Sequence, residues 1–129
     1  MSTRKIRGEF GENVICEHLC SNSYKIVSRN YLKKSGEIDI IAVCNESQEL
    51  VFIEVKTRKF NCLVEGSNSV NYTKQNKIAK TAKIWLAENS GFSGMNVRFD
   101  VAVVSVTTDV VPQLLDIEYY ENAFEPALW

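Results

Sequence analysis

Hydrophobic spacing divides the chain into seven segments. From about Ile6 to Cys20, steps of 100° per residue gather Phe10, Val14, Ile15, His18 and Leu19 on one broad face, which predicts an amphipathic helix. Glu12 falls at the edge of that face, whereas Glu9, Cys16, Glu17 and Cys20 point further out. Glu12 is therefore the early acid best placed to look back toward whatever the helix packs on. Three strand-like runs follow, YKIVSRNY (24–31), GEIDIIAVC (36–44) and ELVFIEVKTR (49–58), the last two joined by the turn-forming Asn45, Glu46, Ser47 and Gln48. Between Asn71 and Asn89, Ile78, Ala79, Ala82, Trp85 and Leu86 return to helical spacing, with Lys74, Lys77, Lys80 and Lys83 wound around the rest. VRFDVAVVSV (97–106) is a strand rich in β-branched residues, and LLDIEYY (114–120) fits a shorter one. The order αβββαβ plus a final β predicts an α/β fold with a mixed central sheet flanked by helices. No repeat, low-complexity run or linker interrupts it, and residues 1–129 read as one domain.

Inside the hairpin strands the pattern breaks. Leu50, Phe52, Glu54 and Lys56 share one side of their strand and Val51, Ile53, Val55 and Thr57 the other, so both faces begin apolar and one turns charged at its far end. In the partner strand, Glu37, Asp39, Ile41 and Val43 share a face, which sets Asp39 beside buried positions. Two carboxylates at the border of a core cost several kcal/mol unless a cation, an ion pair or a raised pKa compensates them. A divalent cation on Asp39 and Glu54 would do so. Mg²⁺ suits this best, because it prefers oxygen ligands and is commonly held by one or two carboxylates together with phosphate oxygens. Lys56 would then meet an anionic substrate, Glu12 would complete the metal shell or position a water, and hydrolysis of a phosphodiester is the natural chemistry. The alternative reading of Asp39, Glu54 and Lys56 is an ion-pair triad at a sheet edge, since Glu-x-Lys alone is expected about once by chance in a chain of this composition.

Charge and cysteines narrow the class without deciding it. Fifteen Lys and Arg lie at or before Arg98 against ten acids, and the remainder holds six acids and no base, giving a basic body and an acidic tail. That split permits contact with a nucleic acid on one side, and equally describes an unevenly charged solvated surface. Cys16, Cys20, Cys44 and Cys62 form no CxxC pair and His18 is the single histidine, so no zinc site is expected. The cysteines read as reduced thiols of a cytoplasmic protein, with no signal peptide and no apolar run long enough for a membrane span. Arg98 and Asp100 alternate onto one face of their strand and are expected to pair with neighbours. His18 reads as a hydrogen-bonded core histidine.

The charged positions also carry a resemblance. Asp39, fourteen residues, then Glu54-Val55-Lys56, with an acid on a preceding helix, resembles the D...(D/E)-x-K signature of restriction-endonuclease-like nucleases, a superfamily that includes archaeal Holliday-junction resolvases. GEFGE (8–12), SRNY (28–31), GEIDIIA (36–42), LVFIEVKTR (50–58), the spacing of Val70 and Lys74, RFDVAVV (98–104) and ENAF (121–124) are similar to the YraN-type family of uncharacterised bacterial proteins, across almost the whole chain. The resemblance implies a restriction-endonuclease-like nuclease core. It implies Asp39 and Glu54 as carboxylates for Mg²⁺ or Mn²⁺, Lys56 as the catalytic lysine, Glu12 as the helix acid and Glu37 in support. Lys74 matches a family lysine that would touch a phosphate, and Lys77 and Arg58 are further candidates for nucleic-acid contact. For all three, a solvated surface cation is an equal reading. The implied function is a metal-dependent endonuclease-like phosphodiesterase acting on DNA, branched or structured forms included. The competing readings are an inactive nucleic-acid or protein binding module of the same fold, or a nuclease acting on RNA. A homodimer would suit symmetric cleavage, with Trp85, Trp129, Tyr119 and Tyr120 as interface candidates.

Overall fold

The computed structural model describes residues 3–60, 70–127 and 129, so Cys62 lies outside the described residues. The elements are α1 (Thr3–Ser21), β1 (Tyr24–Lys33), β2 (Gly36–Cys44), β3 (Glu49–Lys59), α2 (Tyr72–Glu88), a 3-10 turn at Ser90–Phe92, β4 (Asn96–Val106) and β5 (Leu114–Tyr120). The expected order αβββαββ is the observed one. The strands form one sheet in the order β1-β2-β3-β4-β5, antiparallel except for β3 against β4. That parallel pair has α2 in its connection, as a parallel crossover requires. The result is a mixed α/β architecture consistent with a nuclease-like core.

The two helices cover opposite faces of the sheet. α1 buries Ile15 and Leu19 against Ile40, Ala42, Val51, Ile53, Ala102 and Val104. On the other face α2 buries Ile78, Ala82 and Trp85 against Ile41, Leu50, Phe52, Phe99 and Val101. β3 is central and covered twice, which is why both of its faces begin apolar. Cys16, expected to point outward, is half-buried against the α1 cluster, so the apolar stripe of α1 is broader than the spacing indicated. Trp85 meets Phe52 edge-on at 6.0 Å and is 3 % exposed, so core packing removes it from the candidates for an interface. Trp129 packs edge-on against Phe99 at 5.0 Å.

Local chemistry fixes how the helices sit. α1 ends where the Asn22 side chain donates to the His18 carbonyl at 2.7 Å and Ser23 takes a left-handed φ of 67°. α2 begins at Asn71, whose side chain accepts from the Lys74 N–H at 2.8 Å, a cap contributing about 1 kcal/mol. Two glycines allow close approach. A Cβ on Gly11 would run into Thr57 Oγ1, so Gly11 lets α1 lie against β3. Gly36 combines a φ of 153° with a position where an added Cβ would lie 3.3 Å from Lys77 Cβ, seating the β1–β2 turn against α2. The Ser35 and Thr81 hydroxyls complete that contact at 2.6 Å.

Candidate active site

The site forms where two central strands part. β2 and β3 pair from Cys44↔Glu49 to Ile40↔Ile53, and Asp39 and Glu54 stand one step beyond the last rung. β3 stays paired with β4 as far as Lys59↔Val106, so its far end is open on the β2 side only. There the Val55 N–H donates to Asp39 Oδ2 at 2.8 Å, a side chain taking the place of a ladder acceptor. The alternation of β2 also breaks here, because Ile38 joins the α2-side cluster while Ile40 joins the other. On β1, Asn30 lies between the residues paired with Ile38 and Ile40 and takes a φ of 52°.

Both carboxylates are 8 % exposed. Burial, and then the neighbouring Glu54, push the Asp39 pKa up to about 8 against the opposing Val55 hydrogen bond, with Glu12 and Glu37 adding to the rise. Glu54 bonds Lys74 from the first turn of α2, Nζ to Oε1, at 2.7 Å. For Lys74, burial works against the ammonium, but the hydrogen bond and charge of Glu54, helped by Asp39 and Glu37, raise its pKa overall. Lys56 is half-buried, and burial and the Lys74 charge lower its pKa in spite of Glu54. Glu12 approaches from α1 with its pKa raised by burial, partly offset by a hydrogen bond from Asn30 and the charge of Arg29. The Arg29 guanidinium lies 3.8 Å from Glu12 and bonds Asn13 at 2.8 Å.

The fold thus brings Glu12, Glu37, Asp39, Glu54, Lys56 and Lys74 within electrostatic reach of one another from both helices and two strands. Lys77 is exposed on α2, over Gly36. Arg58 is committed elsewhere, to Ser105 Oγ at 2.9 Å and to Glu118 Oε1 at 2.8 Å, tying β3 to β5. The expected pairing of Arg98 with Asp100 is present, at 2.9 Å, away from this site. Asn30, Arg29 and the Val55 N–H escaped the sequence reading. Asn30 left a trace, a polar residue within SRNY where a strand would be apolar, whereas a backbone donor leaves none.

Among the described residues no three His, Cys, Asp or Glu side chains converge into a ligand set of their own. The donor chemistry nevertheless fits Mg²⁺ or Mn²⁺ resting on Asp39 and Glu54 with water at its other positions, the ligation these hard cations accept. An acid whose pKa is raised by burial and then by a second acid is also a place where a cation would relieve repulsion.

A mixed sheet covered by helices on both faces, with acids where its central strands part and a lysine two residues on, defines an α/β protein with a nuclease-like core. The comparisons narrow this to a family. The family model described as uncharacterised protein family UPF0102 matches residues 11–104, and the chain belongs to that family, the YraN-type group its motifs resemble. UPF0102 proteins of Clostridium botulinum (strain 657 / Type Ba4) and Geobacter sulfurreducens are 36 % identical over 118 residues and 37 % identical over 123. These alignments cover 92 % of this chain and 93 % of the first relative, and 95 % of this chain and 91 % of the second. A UPF0102 protein of Treponema denticola is 39 % identical over 122 residues, covering 91 % of this chain and 93 % of its own. No helix among the described residues is long and apolar enough to cross a membrane.

Proposed function

We propose that the protein is a Mg²⁺- or Mn²⁺-dependent endonuclease-like phosphodiesterase acting on DNA, branched or structured forms included, in the bacterial cytoplasm. The observation that carries this reading is the buried pair Asp39 and Glu54, one step past the end of the β2–β3 ladder, with Lys56 and Lys74 beside it. Asp39 and Glu54 would hold the cation. When bound, it supplies Lewis-acid polarisation of a phosphodiester and a water acidified enough to attack it. The chain's own groups do the rest. The Val55 N–H fixes the Asp39 carboxylate so that its orientation is set before any ligand arrives. Lys56, on the strand that carries Glu54, donates to a non-bridging phosphate oxygen where negative charge grows in the transition state. Glu12, whose pKa burial raises, is suited to hold a water and take a proton from it. Lys74 neutralises Glu54 and would exchange that carboxylate for a phosphate of the substrate.

The second reading, a binding module that keeps the fold without turnover, draws support from the Lys74–Glu54 pair, which already balances one of the two acids. Thermal melts of wild type and Asp39→Asn, with and without Mg²⁺ or Mn²⁺, separate the two when run beside nicking assays on linear, flapped and four-way DNA. The enzyme reading expects a melting temperature that rises with cation in wild type only, and nicking that needs Asp39, Glu54 and Lys56. Cation binding without cleavage of any substrate supports the module. No cation response in either protein, with the mutant less stable, leaves the acids as an ion-pair cluster.

A further inference from the structure

Beside the carboxylates, the N-terminal half of α1 and the last residues of β3 enclose a groove of about 360 Å³ lined by Arg4, Arg7, Gly8, Glu12, Val55, Thr57, Arg58 and Lys59. Four cations face one acid there. The groove borders the candidate active site through two residues: Glu12 acts on Asp39 through its charge, and the Val55 N–H donates to it. Arg58 is held by Glu118, but among the described residues no acid lies within ion-pair distance of Arg4, Arg7 or Lys59. Three cations around one concavity, with no acid in ion-pair range among the described residues, make an anion site, and their spread along a groove suits a chain of phosphates better than a single one.

Gly8 is an independent observation in the same place. Glycine is a poor choice inside a helix, and at Gly11 the contact with Thr57 accounts for it. At Gly8 a Cβ would meet nothing within 4 Å, so packing gives no reason for the glycine. What its missing side chain does leave is an unobstructed groove wall between Arg4, Arg7 and Glu12.

We propose that this groove binds the sugar-phosphate backbone of a polynucleotide on one side of the Asp39/Glu54 site, through Arg4, Arg7 and Lys59, with Gly8 leaving room for the strand. The proposal rests on the functional reading above and extends it. The substrate must continue past the reacting phosphate on the α1 side, so a mononucleotide or a minimal diester is a poor substrate. These contacts are to backbone and carry no base preference. The phosphodiester chemistry is common to DNA and RNA, and the assay includes both.

Fluorescence anisotropy with labelled single strands and duplexes of DNA and of RNA, in EDTA so that no turnover intervenes, tests the groove directly. Arg4→Gln/Arg7→Gln/Lys59→Gln should weaken duplex binding at least about tenfold at low salt. It should also flatten the dependence of log K on log salt by about 0.9 for each phosphate that the variant no longer neutralises. Gly8→Phe, which changes no charge and for which the Cβ has space, should weaken binding as well. Lys25→Gln/Lys80→Gln/Lys83→Gln removes as much charge outside the groove and should stay within about twofold of wild type. A triple groove variant that matches this control in affinity and slope overturns the subsite, as does a wild type that binds neither nucleic acid. Weakened binding in a protein that never nicks DNA keeps the groove and removes the nuclease reading instead. Equal effects on DNA and RNA are expected for backbone contacts, and a loss confined to one identifies the physiological strand.

Discussion

One sheet carries two buried polar clusters, and they differ in how completely their charges are answered. At the leading ends of β3 and β4, Arg98 Nε and Nη2 each bond Asp100 at 2.9 Å, Nη1 bonds Glu49 at 2.9 Å, and Nη2 also donates to the Tyr24 hydroxyl at 2.5 Å. Asp100, fully buried, accepts in addition from the Tyr119 hydroxyl at 2.6 Å and the Asn122 N–H at 2.8 Å. That cluster stitches β1, β3, β4, β5 and the turn after β5 into one unit. At the opposite end of β3, Asp39 accepts from the Val55 N–H and faces three further acids, Glu54, Glu12 and Glu37. A buried acid that accepts from a guanidinium, a hydroxyl and an amide braces a fold, whereas one with a single backbone donor among three further acids is the kind of place that a cation can fill.

The largest test breaks the brace. Arg98→Met should leave Asp100 buried without its cation and cost about 3–5 kcal/mol in urea unfolding, with no recovery in Mg²⁺. Asp39→Asn, on an equally buried residue, should by contrast fold as stably as wild type or better at pH 8, since it removes a carboxylate from beside Glu54 while an amide oxygen still accepts from Val55. A mild Arg98→Met effect that a divalent cation reverses would dissolve the distinction between the clusters.

Stability against pH sharpens it next. The Asp39 pKa is raised in the folded protein, from 3.8 to about 8, so the folded state holds a proton that the unfolded chain gives up. Its contribution is complete below about pH 4 and is lost as pH rises toward 8, a decline on the order of 2–4 kcal/mol in the absence of divalent cations. Mg²⁺ should flatten that decline, and Asp39→Asn should abolish it. In the brace, burial raises the Tyr24 hydroxyl to about 12 and moves the Tyr119 hydroxyl upward too, so neither phenol titrates over this range. Urea titrations at half-unit pH intervals would show a Mg²⁺-sensitive slope if the open cluster is a cation site, and a Mg²⁺-insensitive one if it is not.

The sequence disclosed these clusters to different depths, for physical reasons. The acids of the site were legible because they interrupt strands that are apolar on both faces, and position alone shows the cost of putting them there. Arg98 and Asp100 were legible as a pair, since residues two apart on a strand share a face. Their remaining partners were not, because Tyr24 and Tyr119 arrive from strands 74 and 19 residues away through pairing that no local pattern encodes. The same limit hid the link between Lys74 and Glu54. It depends on where the crossover sets down the first turn of α2, and spacing within the helix offers only an exposed lysine. The basic groove needed the fold as well, since Arg4 and Arg7 meet Lys59 only after α1 has been laid against β3.

The smallest effects separate the two lysines of the site, and they bear on what the open cluster is for. Lys74 neutralises Glu54 across 2.7 Å, so Lys74→Ala should destabilise the protein without cation, but by only about 1 kcal/mol because that lysine is half exposed to water. Mg²⁺ should restore the loss, as the cation takes over the charge that Lys74 balanced. Lys56 stands differently, since burial and the Lys74 charge both disfavour its ammonium. Lys56→Ala should change stability less than Lys74→Ala does while lowering nicking about 10²- to 10³-fold, with the Mg²⁺-induced rise in melting temperature retained. Equal destabilisation by both substitutions, unrelieved by Mg²⁺, would make the open cluster a second brace. A split between them would mean that the same few ångströms hold one lysine that stands in for the cation and another that awaits the phosphate.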